Sequence, residues 1–179
     1  MPYTIEQLPD LEDIKVLKHR YFRFMDTGQW SALAALFTET AHIDYRGGTY
    51  RCQMDGRDNL VEFLANSFNS DAVAMHHGHM PEITFTGRDT AEGIWYLEDI
   101  FIHLDTNLHT FGSAIYHDSY QRVGGEWLIA RSEYDRVIEV NMPLDPAIKV
   151  DFHYLKKVGR KPEERRDVSH LITWTTDGA

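Results

Sequence analysis

Four segments with the marks of β-strands follow one another in the second half of the chain, and they limit the possible folds more than any other feature. They are predicted over residues 79–86, 90–103, 113–122 and 126–140. The last two are joined by Gly124-Gly125, a strong signal for a two-residue hairpin turn. Long strands joined by short turns predict an antiparallel sheet rather than a helical bundle or an alternating α/β fold.

Three helices are predicted before and among the first strands. Pro9-Asp10 opens the first helix, which Asp10 is expected to cap, and Thr27-Gly28 ends it. Its apolar face is formed by residues that recur at helical spacing: Leu11, Ile14, Leu17, Tyr21 and Phe24. Two further helices are predicted over residues 29–37 and 57–68, with short strands over 41–45 and 49–54.

The order α-α-β-β-α-β-β-β-β predicts an α+β fold. We expect a strongly curved antiparallel sheet with three helices packed over it, enclosing a cone-shaped pocket suited to a small molecule. This domain is assigned to residues 1–146. Residues 147–179 form a C-terminal extension with weak periodicity, which fits either a final strand plus a loose end or an arm that reaches a neighbouring subunit.

Composition removes several classes of function. The net charge of −10 argues against a nucleic-acid partner, because phosphate binding needs a basic surface. No apolar segment approaches the roughly 20 residues of a membrane span. The opening MPYTIEQLPD lacks the basic and apolar parts of a secretory signal, and the single cysteine, Cys52, fits a reducing compartment. We therefore expect a cytoplasmic protein of one domain.

Three histidines, His76, His77 and His79, lie in the segment 75–83. Histidine titrates near neutral pH, so a cluster at a cavity mouth supplies general bases or metal ligands. His77 and His79 would share a strand face, which His76 could approach from the preceding loop to complete a zinc site. Since the HExxH pattern and paired cysteines are missing, we expect acid/base chemistry without a metal or any other cofactor.

Strand alternation places further polar groups among apolar neighbours. Asp99 shares a face with Trp95, Leu97, Phe101 and His103, so it either pairs with a histidine or lies exposed at a strand bend. In the last strand one face is expected to carry Leu128, Ala130, Ser132, Tyr134, Arg136 and Ile138. Arg136 would there bind a substrate oxygen or form a structural ion pair.

Two residues of the first helix need an explanation. Tyr21 lies on the apolar face, where a tyrosine is more often a core residue with a satisfied hydroxyl. Asp26 lies at the C-terminal end of the helix, where the helix dipole disfavours a carboxylate. Asp26 therefore needs a partner, a function or exposure to solvent.

Several segments resemble a known family. They are residues 14–26, the run MHHGHMPEIT at 75–84, the run TAEGIWYLED at 90–99, the hairpin residues 116–120, 125–127 and 134–136, and Asp145-Pro146. The chain resembles the SnoaL-like branch of the NTF2-like, cystatin-like superfamily. The closest likeness is to the bile acid 7α-dehydratase family, with scytalone dehydratase and hexachlorocyclohexane dehydrochlorinase more distant.

The resemblance implies catalytic roles for Tyr21, Asp26, His76, Asp99 and Arg136. His76, oriented by Asp99, would remove a proton beside a conjugated carbonyl, Tyr21 would stabilise the enolate, and Asp26 or Arg136 would assist departure of the hydroxyl. We expect the substrate to be a small hydrophobic molecule. The residues expected to contact it are Trp95, Tyr134, His79 and Leu97.

The resemblance also sets the alternatives. Family members are commonly trimers, so we expect a homotrimer. His77 stands where the bile-acid enzyme has an apolar residue, and residues 41–74 match weakly, so the substrate is open within hydroxylated carbonyl compounds, including steroid and bile-acid-like 3-oxo-Δ4 compounds. A ketosteroid-type isomerase uses the same groups. A non-catalytic binding module, or a partner protein like the dioxygenase β-subunits, is the other alternative.

Overall fold

The computed structural model describes residues 3–174, and its elements follow the predicted order. The helices are α1 (Leu8–Asp26), α2 (Trp30–Ala34), α3 (Arg57–Ser67) and α4 (Leu155–Val158), with 3₁₀ turns at Ile5–Gln7, Pro162–Glu164 and Ser169–Leu171. The strands are β1 (Phe37–Arg46), β2 (Tyr50–Asp55), β3 (Ala72–Phe85), β4 (Thr90–His103), β5 (Leu108–Val123), β6 (Glu126–Pro143) and β7 (Ile172–Trp174).

The predicted α+β architecture is confirmed, with two differences. The described residues form one seven-stranded sheet in the order β3-β4-β5-β6-β1-β2-β7, in which β1 runs parallel to β6 and the other pairs are antiparallel. A fourth short helix, α4, lies in the C-terminal segment. Periodicity within one strand carries no information about a partner 90 residues away, so the parallel pair was beyond prediction.

Helix α1 packs its apolar stripe against the sheet. Leu11, Ile14, Leu17 and Tyr21 are buried, and Gly28 adopts a positive φ of 64° just after the helix, as a left-handed cap requires. The predicted cap at Asp10 was wrong, because the helix begins at Leu8. Among other contacts, Asp10 accepts a hydrogen bond from Trp127 Nε1 (3.2 Å), which ties the start of the helix to β6.

Two β-bulges change which residues of β6 face inward. The pairing with β5 shifts register next to Ala130 and again next to Val137. The predicted alternation is therefore right for Ser132, Tyr134 and Arg136 and wrong for Leu128, Ala130 and Ile138. An extra residue moves every later side chain to the other face, so Ile129, Glu139 and Asn141 point to the concave side instead.

The second of these bulges explains a glycine in β5. Gly112 pairs with Glu139, and a Cβ on Gly112 would lie 2.1 Å from the carbonyl oxygen of Ile138. The bulge presses that carbonyl against β5, so a side chain cannot be accommodated at position 112 unless the bulge relaxes.

Strand β3 begins earlier than predicted and contains a bulge of its own. It starts at Ala72, so the three histidines lie within the strand rather than at its start. The pairing with β4 shifts between His79 and Glu82, where Met80 adopts a positive φ of 47°. Before the bulge, His76 faces inward and His77 and His79 face outward.

The C-terminal segment folds back on its own chain as far as Trp174. Leu155 is buried, Arg160 donates two hydrogen bonds to Glu62 of α3 (2.6 and 2.8 Å), and β7 pairs with β2. That residues 147–179 also reach a neighbouring subunit stays a prediction, and residues 175–179 of that extension lie outside the described part. None of the described helices combines the length and apolar character needed to cross a membrane.

Candidate active site

The concave face of the sheet, with α1 and α3 above it, encloses a cavity of about 380 Å³. Its lining combines apolar and aromatic side chains with polar groups that converge on the cavity, as small-molecule sites do. The polar side chains on its wall include Tyr21, Tyr45, Thr49, Tyr50, Ser67, His76, Asp99, His103, Thr110, Tyr116, Tyr134, Arg136, Glu139 and Asn141.

Strand register arranges residues of the concave face in rows across the sheet. One row joins Trp95, Tyr116, Tyr134 and Tyr45, and the row four residues further along β4 and β5 joins His76, Asp99, Gly112 and Glu139. Most of the polar groups therefore lie on hydrogen-bonded strands rather than on loops, which fixes their relative positions closely.

His76 forms a hydrogen-bonded pair with Asp26. The His76 Nδ1 atom lies 2.5 Å from Asp26 Oδ1, and the His76 backbone N–H donates to Asp26 Oδ2 at 3.0 Å. The side chain of His76 is only 6% exposed, and that of Asp26 is 22% exposed. An ionised carboxylate only accepts hydrogen bonds, so the imidazole proton lies on Nδ1 and the Nε2 lone pair is free to act as a base.

The expected hydrogen bond between His76 and Asp99 was wrong, although the two residues pair in register on β3 and β4. Asp26 occupies the Nδ1 side of His76, and Asp99 is engaged by Arg136. This also answers the question raised by Asp26 at the unfavourable end of α1, since its carboxylate is held by a side chain and a backbone amide of β3.

Arg136 binds two carboxylates at once. Its Nη1 and Nη2 atoms donate to the two oxygens of Asp99, the latter at 2.8 Å, and its Nε atom lies 3.1 Å from Glu139 Oε2. Asp99 is almost fully buried. Glu139 was missed by the sequence analysis because strict alternation places it on the outer face, and the bulge next to Val137 that turns it inward leaves no clear signal in composition.

Two pairs of tyrosine hydroxyls stand along the cavity wall. The hydroxyls of Tyr21 and Tyr45 lie 2.8 Å apart, and those of Tyr50 and Tyr134 lie 2.6 Å apart. Burial raises the pKa of Tyr21, Tyr45 and Tyr134 well above the ordinary value. These hydroxyls therefore stay protonated at physiological pH and remain able to donate a hydrogen bond.

Behind the tyrosines lies a fully buried ion pair, Lys18 with Asp118 (2.7 Å). Asp118 also accepts hydrogen bonds from Tyr120 and Ser132, each at 2.8 Å. Burial lowers the pKa of Lys18, and the Asp118 carboxylate opposes that shift. Because the ammonium lies 3.6 Å from the centre of the Tyr116 ring, this network fixes α1 against the sheet beneath the cavity.

The four predicted substrate contacts divide into two groups. Leu97 and Tyr134 line the cavity. Trp95 does not, because its indole is fully buried and donates to Tyr120 (2.8 Å). His79 lies in a separate outer groove between α1 and β3 and is half-exposed.

The three histidines do not converge on one point. His76 turns toward the cavity, whereas His77 and His79 lie on the outer face with Glu98, with one ligand atom of each within 4.8 Å of the others. A three-histidine site is therefore not formed. Cys52, which lines the cavity, stays a thiol because burial raises its pKa to about 12.

Comparisons with known proteins agree with this architecture. A type 2 hexachlorocyclohexane dehydrochlorinase is 17% identical, with a TM-score of 0.69 over 80% of this chain and 99% of that one. A scytalone dehydratase candidate from Novosphingobium aromaticivorans is 20% identical, with a TM-score of 0.65 over 81% and 97%. An NTF2-like protein of cystatin-like fold from the same organism is 19% identical, with a TM-score of 0.56 over 74% and 85%.

The family comparison gives the same result by a different route. Residues 6–133 match the model of the SnoaL-like domain, and this range contains α1 to β5 and most of the cavity wall. The match covers well over half of the chain and includes Tyr21, Asp26, His76 and Asp99. The protein therefore belongs to the SnoaL-like domain family, as its resemblance predicted.

Proposed function

We propose that this protein is a cofactor-independent lyase that eliminates water from a hydroxylated carbonyl compound held in the cavity. The observation that carries the proposal is His76, which lies on the wall of an enclosed, largely apolar site and is hydrogen-bonded to Asp26 beside it. A histidine whose Nδ1 is held by a carboxylate is a positioned base, and such a base contributes about 10²–10⁴-fold to a rate. The similar dehydrochlorinase and scytalone dehydratase candidate support an elimination reaction.

In the proposed reaction His76 Nε2 takes a proton from a carbon made acidic by the neighbouring carbonyl. Negative charge then develops on the carbonyl oxygen, where the Tyr21 hydroxyl donates a hydrogen bond supported by Tyr45. One such donor is worth about 10²–10³ in rate. Collapse of the enolate forms the new carbon–carbon double bond and breaks the bond to the hydroxyl.

Departure of the hydroxyl falls to Arg136 in this proposal, since Asp26 is already bonded to His76. Arg136 donates two of its five N–H groups to Asp99 and forms an ion pair with Glu139. In this proposal one of the remaining N–H groups donates to the leaving oxygen. The proton collected by His76 leaves with the hydroxyl as water. The step is therefore balanced without an external acid.

A steroid or bile-acid-like 3-oxo-Δ4 compound is the proposed substrate class. The aromatic side chains on the wall, such as Phe63, Phe68 and Phe101, fit a rigid hydrophobic skeleton. The specific assignment rests on the resemblance in residues 14–26, 75–84 and 90–99. The same resemblance supports a homotrimer, and half-exposed apolar residues on the outer face of the sheet, such as Ile94 and Ile138, are available for subunit contacts.

The second candidate is a ketosteroid-type isomerase, because proton removal by His76 and enolate stabilisation by Tyr21 serve both reactions. The two reactions differ at Arg136, since only elimination has a departing hydroxyl for its guanidinium to stabilise. A non-catalytic small-molecule-binding or dioxygenase β-subunit-like role predicts ligand binding without any turnover.

A mass-resolved turnover assay tests these candidates. Purified protein is incubated with hydroxylated 3-oxo-Δ4 steroids, bile-acid derivatives and smaller β-hydroxy ketones. The matched variants are His76→Ala and His77→Ala, which remove neighbouring imidazoles on opposite faces of β3.

Loss of one water molecule by mass is expected with the wild type and with His77→Ala. His76→Ala should lower that turnover by at least about 10²-fold. A product of unchanged mass would indicate an isomerase instead. Near-normal turnover in His76→Ala would remove His76 from the role of base.

A further inference from the structure

One part of the cavity wall offers an excess of hydrogen-bond acceptors. It consists of five linked side chains, here called the acidic subsite: Asp99, Arg136, Glu139, Asn141 and Thr110. Arg136 joins the two carboxylates, Asn141 Nδ2 lies 3.4 Å from Glu139 Oε1, and Thr110 donates to Asn141 Oδ1 at 2.5 Å. All five side chains line the cavity.

The charges of the acidic subsite do not balance. Two carboxylates share one guanidinium, which leaves one net negative charge. His103, nearby on the wall, bonds through Nδ1 to Asp105 (2.7 Å), which also binds Arg165 (3.2 Å), so its Nδ1 side is turned away from the acidic subsite. The side chains of Arg136 and Glu139 are 11% and 10% exposed. At such burial the surplus charge is weakly screened by water and acts strongly on a bound ligand.

The hydrogen-bonding capacity of the acidic subsite points in the same direction. Each carboxylate oxygen can accept about two hydrogen bonds, and the Glu139 oxygens use only part of that capacity. The Thr110 hydroxyl already donates its hydrogen bond to Asn141, so only its oxygen lone pairs remain to accept a hydrogen bond from a ligand. A group that satisfies these atoms must be a donor.

We propose that the acidic subsite binds a hydroxyl group of an uncharged ligand and rejects carboxylates and phosphates, with Glu139 as the residue that sets this preference. The proposal rests on the proposed function only in taking the cavity as the substrate site. Within the proposed substrates it favours neutral hydroxylated compounds over molecules that would place a carboxylate beside Glu139. A hydroxyl donates to Glu139 or Thr110 without adding charge, whereas an anion meets the uncompensated carboxylate.

Binding of small probes on one apolar skeleton tests the proposal without any turnover. Isothermal titration gives Kd for 2-naphthol, 2-naphthoate and 2-(aminomethyl)naphthalene. The wild type should bind 2-naphthol at least about ten-fold more tightly than 2-naphthoate, which corresponds to about 1.4 kcal/mol. Glu139→Gln should reduce that ratio to about three-fold or less, because it removes the surplus charge and keeps the shape.

Two further variants show whether the change in binding comes from the acidic subsite or from the net charge of the protein. Glu98→Gln removes an equal charge from the exposed outer face, so it should leave the ratio unchanged. Thr110→Val removes an acceptor without altering charge. It should weaken 2-naphthol by about three- to ten-fold and leave 2-naphthoate unaffected, which keeps the test available if Glu139→Gln does not fold.

The proposal is overturned if 2-naphthoate binds the wild type as tightly as 2-naphthol, or if none of the probes binds. An ammonium probe that binds at least about ten-fold more tightly than 2-naphthol would overturn it in favour of a cation site. Failure of the water-loss assay alone would refute the proposed lyase and leave these binding results standing.

Discussion

The chemical role of His76 is decided by a single neighbour on another element. The carboxylate of Asp26, at the end of α1, lies 2.5 Å from Nδ1 and also holds the backbone N–H of the same residue. This double contact selects one tautomer and one ring orientation, both of which a base needs before substrate arrives. Asp26 is therefore a positioning residue that acts through His76.

Replacing Asp26 by asparagine tests that role. The amide keeps the size, but its NH₂ group would face Nδ1 and shift the proton to Nε2, where the base must be free. We expect Asp26→Asn to lower kcat by at least about 10²-fold while KM changes by less than about three-fold. Steady-state kinetics on the substrate found in the turnover assay measure both. Equal losses in kcat for Asp26→Asn and an exposed control, Asp58→Asn, would refute the role.

For single residues, the sequence predicted which side chains belong to the site better than it predicted which of them are hydrogen-bonded to each other. Tyr21, Asp26, His76, Asp99 and Arg136 were selected through the resemblance, and the structure brings them to or beside one cavity. The pairing of His76 with Asp99 failed because the choice between two carboxylates depends on where α1 crosses β3. That crossing is a packing result between residues 50 positions apart.

At the scale of elements, the approach of α1 to β3 depends on the absence of a side chain at Gly78. A Cβ at this position would lie 2.3 Å from Phe22 Cε2. The Phe22 ring in turn stacks on the His76 imidazole, with 6.3 Å between ring centres and an angle of 11°. The glycine therefore sets the distance between the helix that carries Asp26 and the strand that carries His76.

Gly78→Ala should lower the free energy of unfolding by about 1–3 kcal/mol, because Phe22 must leave its position to make room. Urea unfolding followed by circular dichroism measures the change. The double variant Gly78→Ala/Phe22→Leu should recover part of the loss, since a smaller side chain relieves the overlap. A Gly78→Ala protein within about 0.5 kcal/mol of wild type would show that the contact does not limit the packing.

Element boundaries were predictable where local chemistry decides them. The strand β4 and the Gly124-Gly125 turn agree with the sequence analysis, because alternation and two positive-φ glycines are local signals. The inward face of β6 was predictable only between its bulges. A bulge depends on how two strands meet, so Glu139 could be found only from the structure.

For the whole molecule, the C-terminal segment completes the domain rather than trailing from it. The bidentate contact of Arg160 with Glu62 links the segment after α4 to α3, and β7 adds a strand beyond β2. Ile172 and Trp174 of β7 line the cavity, so this docking also closes part of the site. A final strand was one of the two possibilities predicted for this segment, and β7 is such a strand. Its docking partners, β2 and α3, were not predictable, because weak periodicity carries no signal about contacts with residues so far away in the chain.

The docking should depend on pH through Glu62. The hydrogen bonds from Arg160 lower the Glu62 pKa from 4.5 to about 2. A carboxyl group with a lowered folded-state pKa stabilises the protein fully above its unfolded value and loses that contribution as pH falls toward the folded value. We therefore expect Glu62→Gln to have a lower Tm than wild type at neutral pH, with the difference shrinking between about pH 4.5 and pH 2.

Thermal unfolding of both proteins across that range, followed by circular dichroism, measures the difference directly. The control variant is Glu163→Gln, which removes an exposed carboxylate from the C-terminal segment. Its Tm should equal that of the wild type at every pH. A difference that stays constant from neutral pH to pH 2 would mean that Glu62 contributes by packing rather than by its charge.

The bulge beside Val137 has a consequence for the evolution of this sheet. The bulge places one unpaired residue in β6, and the pairing with β5 is regular on either side of it. A deletion of that residue would therefore keep Glu139 and Asn141 on the cavity wall. The loss would also withdraw the Ile138 carbonyl from Gly112. Relatives that are one residue shorter at this point of β6 should therefore be the ones that carry a side chain at position 112. In an alignment, a gap in β6 would then occur together with a substitution of the glycine in β5.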